Sequence, residues 1–344
     1  MIKVLVVDDS SVTRELIVHI LNEDPGIRVV GTASNGEEAL EAVQRMQPDV
    51  ITMDVHMPKL DGLEATRRIM ETYPTPIIVV SGSMNPHDVA MTFRVTEAGA
   101  LAALPLPTDT VTARDLVQTV KLMAEVKVVR RWVRVQCKKP ATQPVDAELA
   151  QYTPAKVRVV ALGASTGGPI ILKTILDGLP GNFPAPVLIV QHMSVGFSHG
   201  FVEWLSQSSA LPIRLAAHGE PILPAHVYVA PDEFQMQVKN DGRIALTRDE
   251  QENGMRPSAS YLFRSVAEVY GCNAVAGLLT GMGRDGASEL KLLRERGAVT
   301  FAQNKERSVV HGMPGEAIRL DAAMFVLAPS EIAPLLTKLA NGRK

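Results

Sequence analysis

Short runs rich in Val and Ile alternate along this chain with stretches in which apolar positions recur every three or four residues. Lys3–Val7, Ile27–Ala33, Val50–Met53, Ile77–Ser81 and Leu101–Leu104 read as strands, with about 20 residues from one start to the next. Strands at that spacing leave room for a helical crossover each time, so the alternation predicts a parallel sheet wrapped by helices. Asp109–Arg131 reads as a long closing helix. Residues 131–156 then lose their periodicity and gather Pro, Gln and charge, from Lys138-Lys139-Pro140 through Pro144 to Pro154, which marks a linker. From Val157 the rhythm resumes, with strands expected at Arg158–Leu162, Val187–Gln191, Ala274–Leu279 and Ala298–Ala302 and a hairpin at Asn240-Asp241-Gly242. The expected organisation is an α/β domain over residues 1–130, a linker over 131–156, and a second, doubly wound α/β domain with a largely parallel sheet over 157–344.

Composition narrows the classes of function. The chain's 344 residues allow two domains of ordinary size, and 46% hydrophobic with 21% charged residues excludes disordered, collagen-like and coiled-coil chains. A net charge of −2 lacks the basic excess of a nucleic-acid or anionic-membrane binder. Charge is uneven, however: residues 1–107 carry 8 Lys/Arg against 15 Asp/Glu, whereas residues 158–344 carry 18 against 17. The basic stretch from Arg130 to Lys139 reads as a helix end and solvated linker rather than a phosphate clamp. Cys137 and Cys272 are the only cysteines and neither belongs to a CxxC pair, so no disulfide framework is expected. No apolar run approaches the ~18 residues of a membrane span, and the opening strand meets Asp8-Asp9 without a signal-peptide core. These features predict a cytoplasmic protein with no membrane insertion and no nucleic-acid partner.

The acidic excess of the first domain has a location. In an open parallel sheet, ligands bind outside the carboxyl ends of the strands. Asp8 and Asp9 follow the first strand, and Asp54 follows the third, its neighbour in a 2-1-3 strand order. Like charges held that close are costly without a cation, and hard oxygen ligands suit Mg²⁺. Ser81 ends the fourth strand and adds a hydroxyl. A lone Asp after a strand is usually a helix N-cap; three acids and a serine at successive strand ends weaken that bland reading.

The second domain offers a nucleophile. Gly163-Ala164-Ser165-Thr166-Gly167 fits G-x-S-x-G, a turn from strand to helix that exposes a serine where backbone N–H groups favour negative charge. The pattern alone is weak, since Ser165 could be a helix N-cap or the glycine turn an anion nest. Serine needs a base, and His192 follows the apolar strand ending at Gln191, which brings it out at the same sheet edge. Asp285, in Thr280-Gly281-Met282-Gly283-Arg284-Asp285-Gly286, is the carboxylate placed to hold the imidazole, with an N-cap of the following helix as its bland alternative. A competing base is His311, which would give the Ser…Asp…His order of α/β-hydrolases but reads more naturally as a packing residue.

Two resemblances follow from these motifs. Val7-Asp8-Asp9-Ser10, Asp54-Val55-His56-Met57-Pro58-Lys59-Leu60-Asp61-Gly62 and Val79-Val80-Ser81-Gly82 resemble the receiver domain of bacterial response regulators. This implies a flavodoxin-like fold with a five-stranded parallel sheet, and Asp54 as acceptor of a phosphoryl group from a chemotaxis-type histidine kinase. It further implies Asp8, Asp9, Asp54 and the His56 carbonyl as Mg²⁺ ligands and Ser81 as the switch residue. One departure is Leu106, which stands in Leu104-Pro105-Leu106-Pro107 where the family has lysine; Lys59 in the adjoining loop reads as a solvated residue.

Gly163–Pro169, Gln191-His192-Met193, Arg256-Pro257-Ser258, Leu279–Gly286 and Gly312-Met313-Pro314 resemble chemotaxis protein-glutamate methylesterases, and with the receiver the likeness covers nearly the whole chain. It implies hydrolysis of glutamyl methyl esters on the cytoplasmic domains of methylated chemoreceptors, with deamidation of receptor glutamines in some members and no cofactor for the ester chemistry. Backbone N–H groups of Thr166 and Met282 are the oxyanion candidates. Asn304 stands where the family usually has aspartate. The rival class is a non-enzymatic response regulator or pseudoenzyme acting by partner binding.

Overall fold

The computed structural model describes residues 1–83, 85–126, 128 and 157–341, and the expected linker over 131–156 lies outside them. They fall into two compact units that divide after residue 138.

In the first unit five strands, β1 (Ile2–Val7), β2 (Ile27–Ala33), β3 (Val50–Met53), β4 (Ile77–Ser81) and β5 (Ala102–Pro105), form one parallel sheet in the order β2-β1-β3-β4-β5. β3 and β4 are buried along their whole length, as expected of strands covered on both faces. Helices α1 (Ser11–Asn22), α2 (Gly36–Met46), α3 (Gly62–Thr72), α4 (Pro86–Ala98) and α5 (Thr110–Ala124) supply the crossovers; α1 packs against α5, while α2, α3 and α4 pack in a row. Each starts at a Ser, Asn or Asp whose side chain accepts a backbone N–H of the first turn, from Ser10 to Asp109.

Helix α5 corrects the expectation of a helix to Arg131. It ends at Ala124, where Glu125 and Val126 turn their N–H groups to the carbonyls three residues back, at 3.2 and 3.0 Å. Neither Gly nor Pro marks that stop, so the tightened last turn left no sequence signal.

The second unit is built on seven parallel strands, β6 (Val159–Ala164), β7 (Val187–Gln191), β8 (Ile213–Leu215), β9 (Val227–Val229), β12 (Ala274–Leu278), β13 (Val299–Gln303) and β14 (Phe325–Leu327). Their order is β14-β13-β12-β6-β7-β9-β8, with β10 (Gln235–Val238) and β11 (Ile244–Thr247) forming the separate antiparallel hairpin expected at Asn240–Gly242. Helices α6 (Gly168–Asp177), α7 (Ser198–Ser206), α8 (Ala259–Val269), α9 (Ala287–Glu295), α10 (Met313–Arg319) and α11 (Pro329–Asn341) complete the doubly wound unit. Phe263 and Leu262 of α8 join Tyr228, Leu278 and Leu290 in one buried core. The chain runs from β6 outward to β7 on one side and later returns to place β12 on the other. The strand order therefore reverses beside β6, and that switch point is where an open sheet leaves a crevice.

Candidate active site

Register fixes what lies in that crevice. Ala164, the last residue of β6, pairs with Gln191, the last of β7, so Ser165 and His192 emerge side by side; the His192 N–H donates to the Ala164 carbonyl at 2.9 Å. On the other flank Gly163 pairs with Leu278, and the Ser165 N–H donates to the Thr280 carbonyl at 3.0 Å. Gly281 must be glycine for this approach, because a Cβ there would stand 2.6 Å from the Ser165 Cβ. Ser165 is not a helix cap: α6 is capped two residues later, at Gly167.

Two buried side chains, invisible as candidates in the sequence, brace these loops. Gln191 Nε2 donates to both the Ser165 carbonyl (2.9 Å) and the His192 carbonyl (2.8 Å), tying the segments of the serine and the histidine together. Thr280 Oγ1 donates to the Thr166 carbonyl at 2.9 Å, and the Thr280 N–H is taken by Gln303 Oε1 at 2.9 Å. The Gln191–Ser165, Thr280–Thr166 and Thr280–Gln303 contacts join residues far apart in sequence, which local patterns cannot report.

His192 Nε2 lies 2.9 Å from Asp285 Oδ2, and both side chains are almost wholly buried. A carboxylate can only accept, so Nε2 carries a proton, and in the neutral ring Nδ1 then holds the lone pair. Among the described residues, that Nδ1 is buried with no hydrogen-bond partner. Asp285 is not the cap of α9, a role Gly286 takes. Its carboxylate instead crosses to the N-terminus of α8, accepting the Ala259 N–H at 2.6 Å, the Ser260 N–H at 3.3 Å and the Ser258 hydroxyl at 2.7 Å. Burial pushes the Asp285 carboxyl up; the His192 imidazole, then Ser258 and Asn253, outweigh it and hold the group well below the usual carboxylate range.

A cavity of about 440 Å³ opens beside this pair, lined by His192, Asn253, Met255, Met282, Gly283, Arg284 and Asp285. Among the described residues, the N–H groups of Thr166 and Met282 have no hydrogen-bond acceptor. His311 is not joined to Asp285. It is half-buried against Gly315, with Nδ1 3.5 Å from the Ser308 hydroxyl, and burial lowers its imidazole below the ordinary histidine value.

In the first unit, β1 pairs with β3 so that Val7 faces Met53, which sets Asp8 beside Asp54. Ligand oxygens of Asp8, Asp9 and Asp54 lie within 4.8 Å of one another. Burial, and then the Asp54 charge, push Asp8 up to about 6; burial also raises Asp54. Such strain between converging carboxylates is what a hard divalent cation relieves, so the residues present fit Mg²⁺. Asp54 Oδ1 accepts the Val55 N–H at 2.7 Å, and His56 Nε2 lies 3.6 Å from Asp88. Ser81 is buried at the end of β4, and its carbonyl accepts the Leu106 N–H at 2.8 Å. The Leu106 side chain reaches to 3.9 Å from where a Gly82 Cβ would stand, so the residue just past β5 presents an alkyl group at this edge. Lys59 acts electrostatically on Glu38, in keeping with a solvated loop residue.

Comparison with known proteins bears on both units. Residues 4–120 match the family model for the response regulator receiver domain, and residues 160–336 match that for CheB methylesterase. The chain is 59% identical to a protein-glutamate methylesterase/protein-glutamine glutaminase of Nitrosospira multiformis, covering 100% of this chain and 98% of that protein. A counterpart in Syntrophus aciditrophicus is 56% identical over 99% of each chain. The CheB methylesterase catalytic domain of Thermotoga maritima superimposes with a TM-score of 0.52 at 36% identity, covering 53% of this chain and 98% of that one. Among the described residues no helix is long and apolar enough to cross a membrane. With a matching receiver in front and relatives of one name along its whole length, the chain belongs to the CheB methylesterase family and is an esterase, not a non-enzymatic regulator.

Proposed function

We propose that the chain hydrolyses glutamyl methyl esters on the cytoplasmic domains of chemoreceptors, with Ser165 as nucleophile, His192 as general base and Asp285 as the carboxylate that orients the imidazole. One observation carries this reading: His192 commits Nε2 to a buried carboxylate, which leaves Nδ1 as a buried, unpartnered acceptor at the strand end next to Ser165. Nδ1 takes the Ser165 proton as Oγ bonds to the ester carbonyl carbon, and the imidazolium returns that proton to the departing methoxide, which leaves as methanol. Water, deprotonated by the same nitrogen, then splits the acyl-enzyme to glutamate and free serine. The unpaired N–H groups of Thr166 and Met282 are the candidates to hold the oxyanion, at roughly 3 kcal/mol per donor. With a glutamine side chain the same sequence releases ammonia, which is the second activity in the relatives' name.

Regulation comes from the receiver. An Asp54 oxygen attacks the phosphoryl group of a chemotaxis-type histidine kinase, forming a P–O bond as the kinase's P–N bond breaks. Asp8, Asp9, Asp54 and the His56 carbonyl would hold Mg²⁺, which when bound offsets charge on the transferring phosphoryl. Ser81 offers its hydroxyl to the phosphorylated form.

The test is methanol release from methylated receptor membranes by the purified full chain, with acetyl phosphate labelling followed in parallel. Methanol release that is lost in Ser165→Ala, with phosphate incorporated by the wild type and not by Asp54→Asn, is expected. Equal labelling of the wild type and Asp54→Asn would remove Asp54 as acceptor, and methanol release undiminished in Ser165→Ala would overturn the esterase mechanism.

A further inference from the structure

We propose that Asn253 is a positioning residue for ester hydrolysis: its side-chain amide holds Oδ1 of Asp285 so that Oδ2 stays aimed at His192. The proposal rests on the triad reading above and adds a member to it.

The carboxylate of Asp285 divides its partners unequally. Oδ2 takes the Ala259 N–H and His192 Nε2, at 2.6 and 2.9 Å. Oδ1 takes the Ser258 hydroxyl at 2.7 Å, the Asn253 amide at 3.0 Å and the Ser260 N–H at 3.3 Å. Ser258, Ala259 and Ser260 all belong to the buried start of α8. Asn253 comes instead from the segment between β11 and α8, and it lines the cavity that His192 and Asp285 also line. Its Nδ2 also lies 3.2 Å from Ser260 Oγ, and that oxygen accepts the Gly286 N–H at 2.9 Å. One amide thus bears on Asp285 directly and on the residue after it through a single hydroxyl.

An exposed side chain positions nothing unless its backbone is fixed, and here the backbone is fixed. Glu252 and Met255 exchange both backbone hydrogen bonds, at 3.1 and 2.8 Å, around a two-residue turn in which Asn253 has φ 52° and Gly254 φ 77°. Arg264 on α8 donates to both Glu252 oxygens, at 2.8 and 3.2 Å, and to Glu289 on α9 at 3.3 Å. Gln235 Nε2, from the hairpin, donates to the carbonyls of Glu250 and Met255 at 3.0 and 3.2 Å. The turn is therefore tied to the helix that feeds donors to Asp285, to the helix that follows Asp285, and to the hairpin.

The turn by itself does not call for asparagine. Positive φ is tolerated by Gly and Asp as well, and neither offers a donor to a carboxylate at neutral pH. Only Asn satisfies both the backbone and Oδ1. Without the amide, Oδ1 is left to the Ser258 hydroxyl and the long Ser260 N–H contact, and small errors in the aim of a catalytic group are expensive in rate.

Asn253→Gly and Asn253→Asp keep the turn and separate the two roles. The assay is hydrolysis of a blocked glutamate γ-methyl ester by the full-length chain, with thermal unfolding recorded for each variant. Asn253→Gly should lower kcat about tenfold with KM changed less than about twofold. Asn253→Asp should fall further and melt lower, because it sets a second carboxylate against Oδ1, while Asn253→Gly melts close to the wild type. Wild-type kcat in either variant, or a loss in Asn253→Gly matched by a fall in its melting temperature, would overturn the proposal and leave Asn253 as a turn residue. Loss of this hydrolysis in Ser165→Ala and in His192→Ala keeps the triad reading standing whatever the Asn253 variants do; hydrolysis undiminished in either would remove that reading and this proposal together.

Discussion

Ser165→Ala and His192→Ala are each expected to lower kcat for methyl-ester hydrolysis by about 10⁴-fold or more, and the double variant to lose little beyond either single one. Groups that act as one proton-handling unit fail together, so the non-additivity is as informative as the size of the loss. His311→Ala, by contrast, should stay within about tenfold of the wild type, an effect of repacking rather than of a lost base. The two histidines differ in what holds them. His192 has a buried carboxylate on one ring nitrogen and an open, desolvated lone pair on the other. Among the described residues the His311 ring has only the Ser308 hydroxyl, at the limit of hydrogen-bonding distance. Steady-state kinetics on the three single variants and the double variant checks this, and full activity in His192→Ala would overturn the assignment.

Asp285→Asn carries the second large effect, a loss in kcat of about 10³- to 10⁴-fold. The amide presents N–H groups where the carboxylate accepts five donors, so whichever way it turns, a donor of Ser258, Ala259, Asn253 or His192 is left facing another donor. Stability should move with it. Because the folded chain holds the Asp285 carboxyl below the usual range, its ionised form stabilises the fold fully above the unfolded value of about 4. That contribution fades as pH falls through the still lower folded value. The variant should therefore melt below the wild type at pH 7, and the gap should narrow under pH ~4. Melting temperatures of both proteins across pH 2.5 to 7 test the sign, and a gap that widened in acid would contradict it.

What the sequence made legible follows from length and burial. Strands such as Ile27–Ala33 and Val187–Gln191 are long enough to show their Val/Ile bias, and the structure returns them with the same ends. The three-residue strands β8, β9 and β14 are too short to carry a period and went unread. Strand ends gave the acids of the receiver and the positions of Ser165 and His192, because parallel register places such residues together by topology alone, whereas Asp285 stands seven residues beyond β12. What the strand pattern could not give was the company Asp285 keeps. Its partners Ser258 and Asn253 lie 27 and 32 residues away in sequence. Asn253-Gly254 forms a two-residue turn, but its aim at a carboxylate depends on how α8 and α9 pack.

The relation between Ser165 and His192 is tested most directly by trapping the serine with a fluorophosphonate and locating the adduct by peptide mass spectrometry. Attachment at Ser165 in the wild-type chain, with no adduct there in Ser165→Ala and labelling slowed about a thousandfold or more in His192→Ala, is the expected result. An adduct on another residue, or Ser165 labelled equally fast without the imidazole of residue 192, would contradict the account.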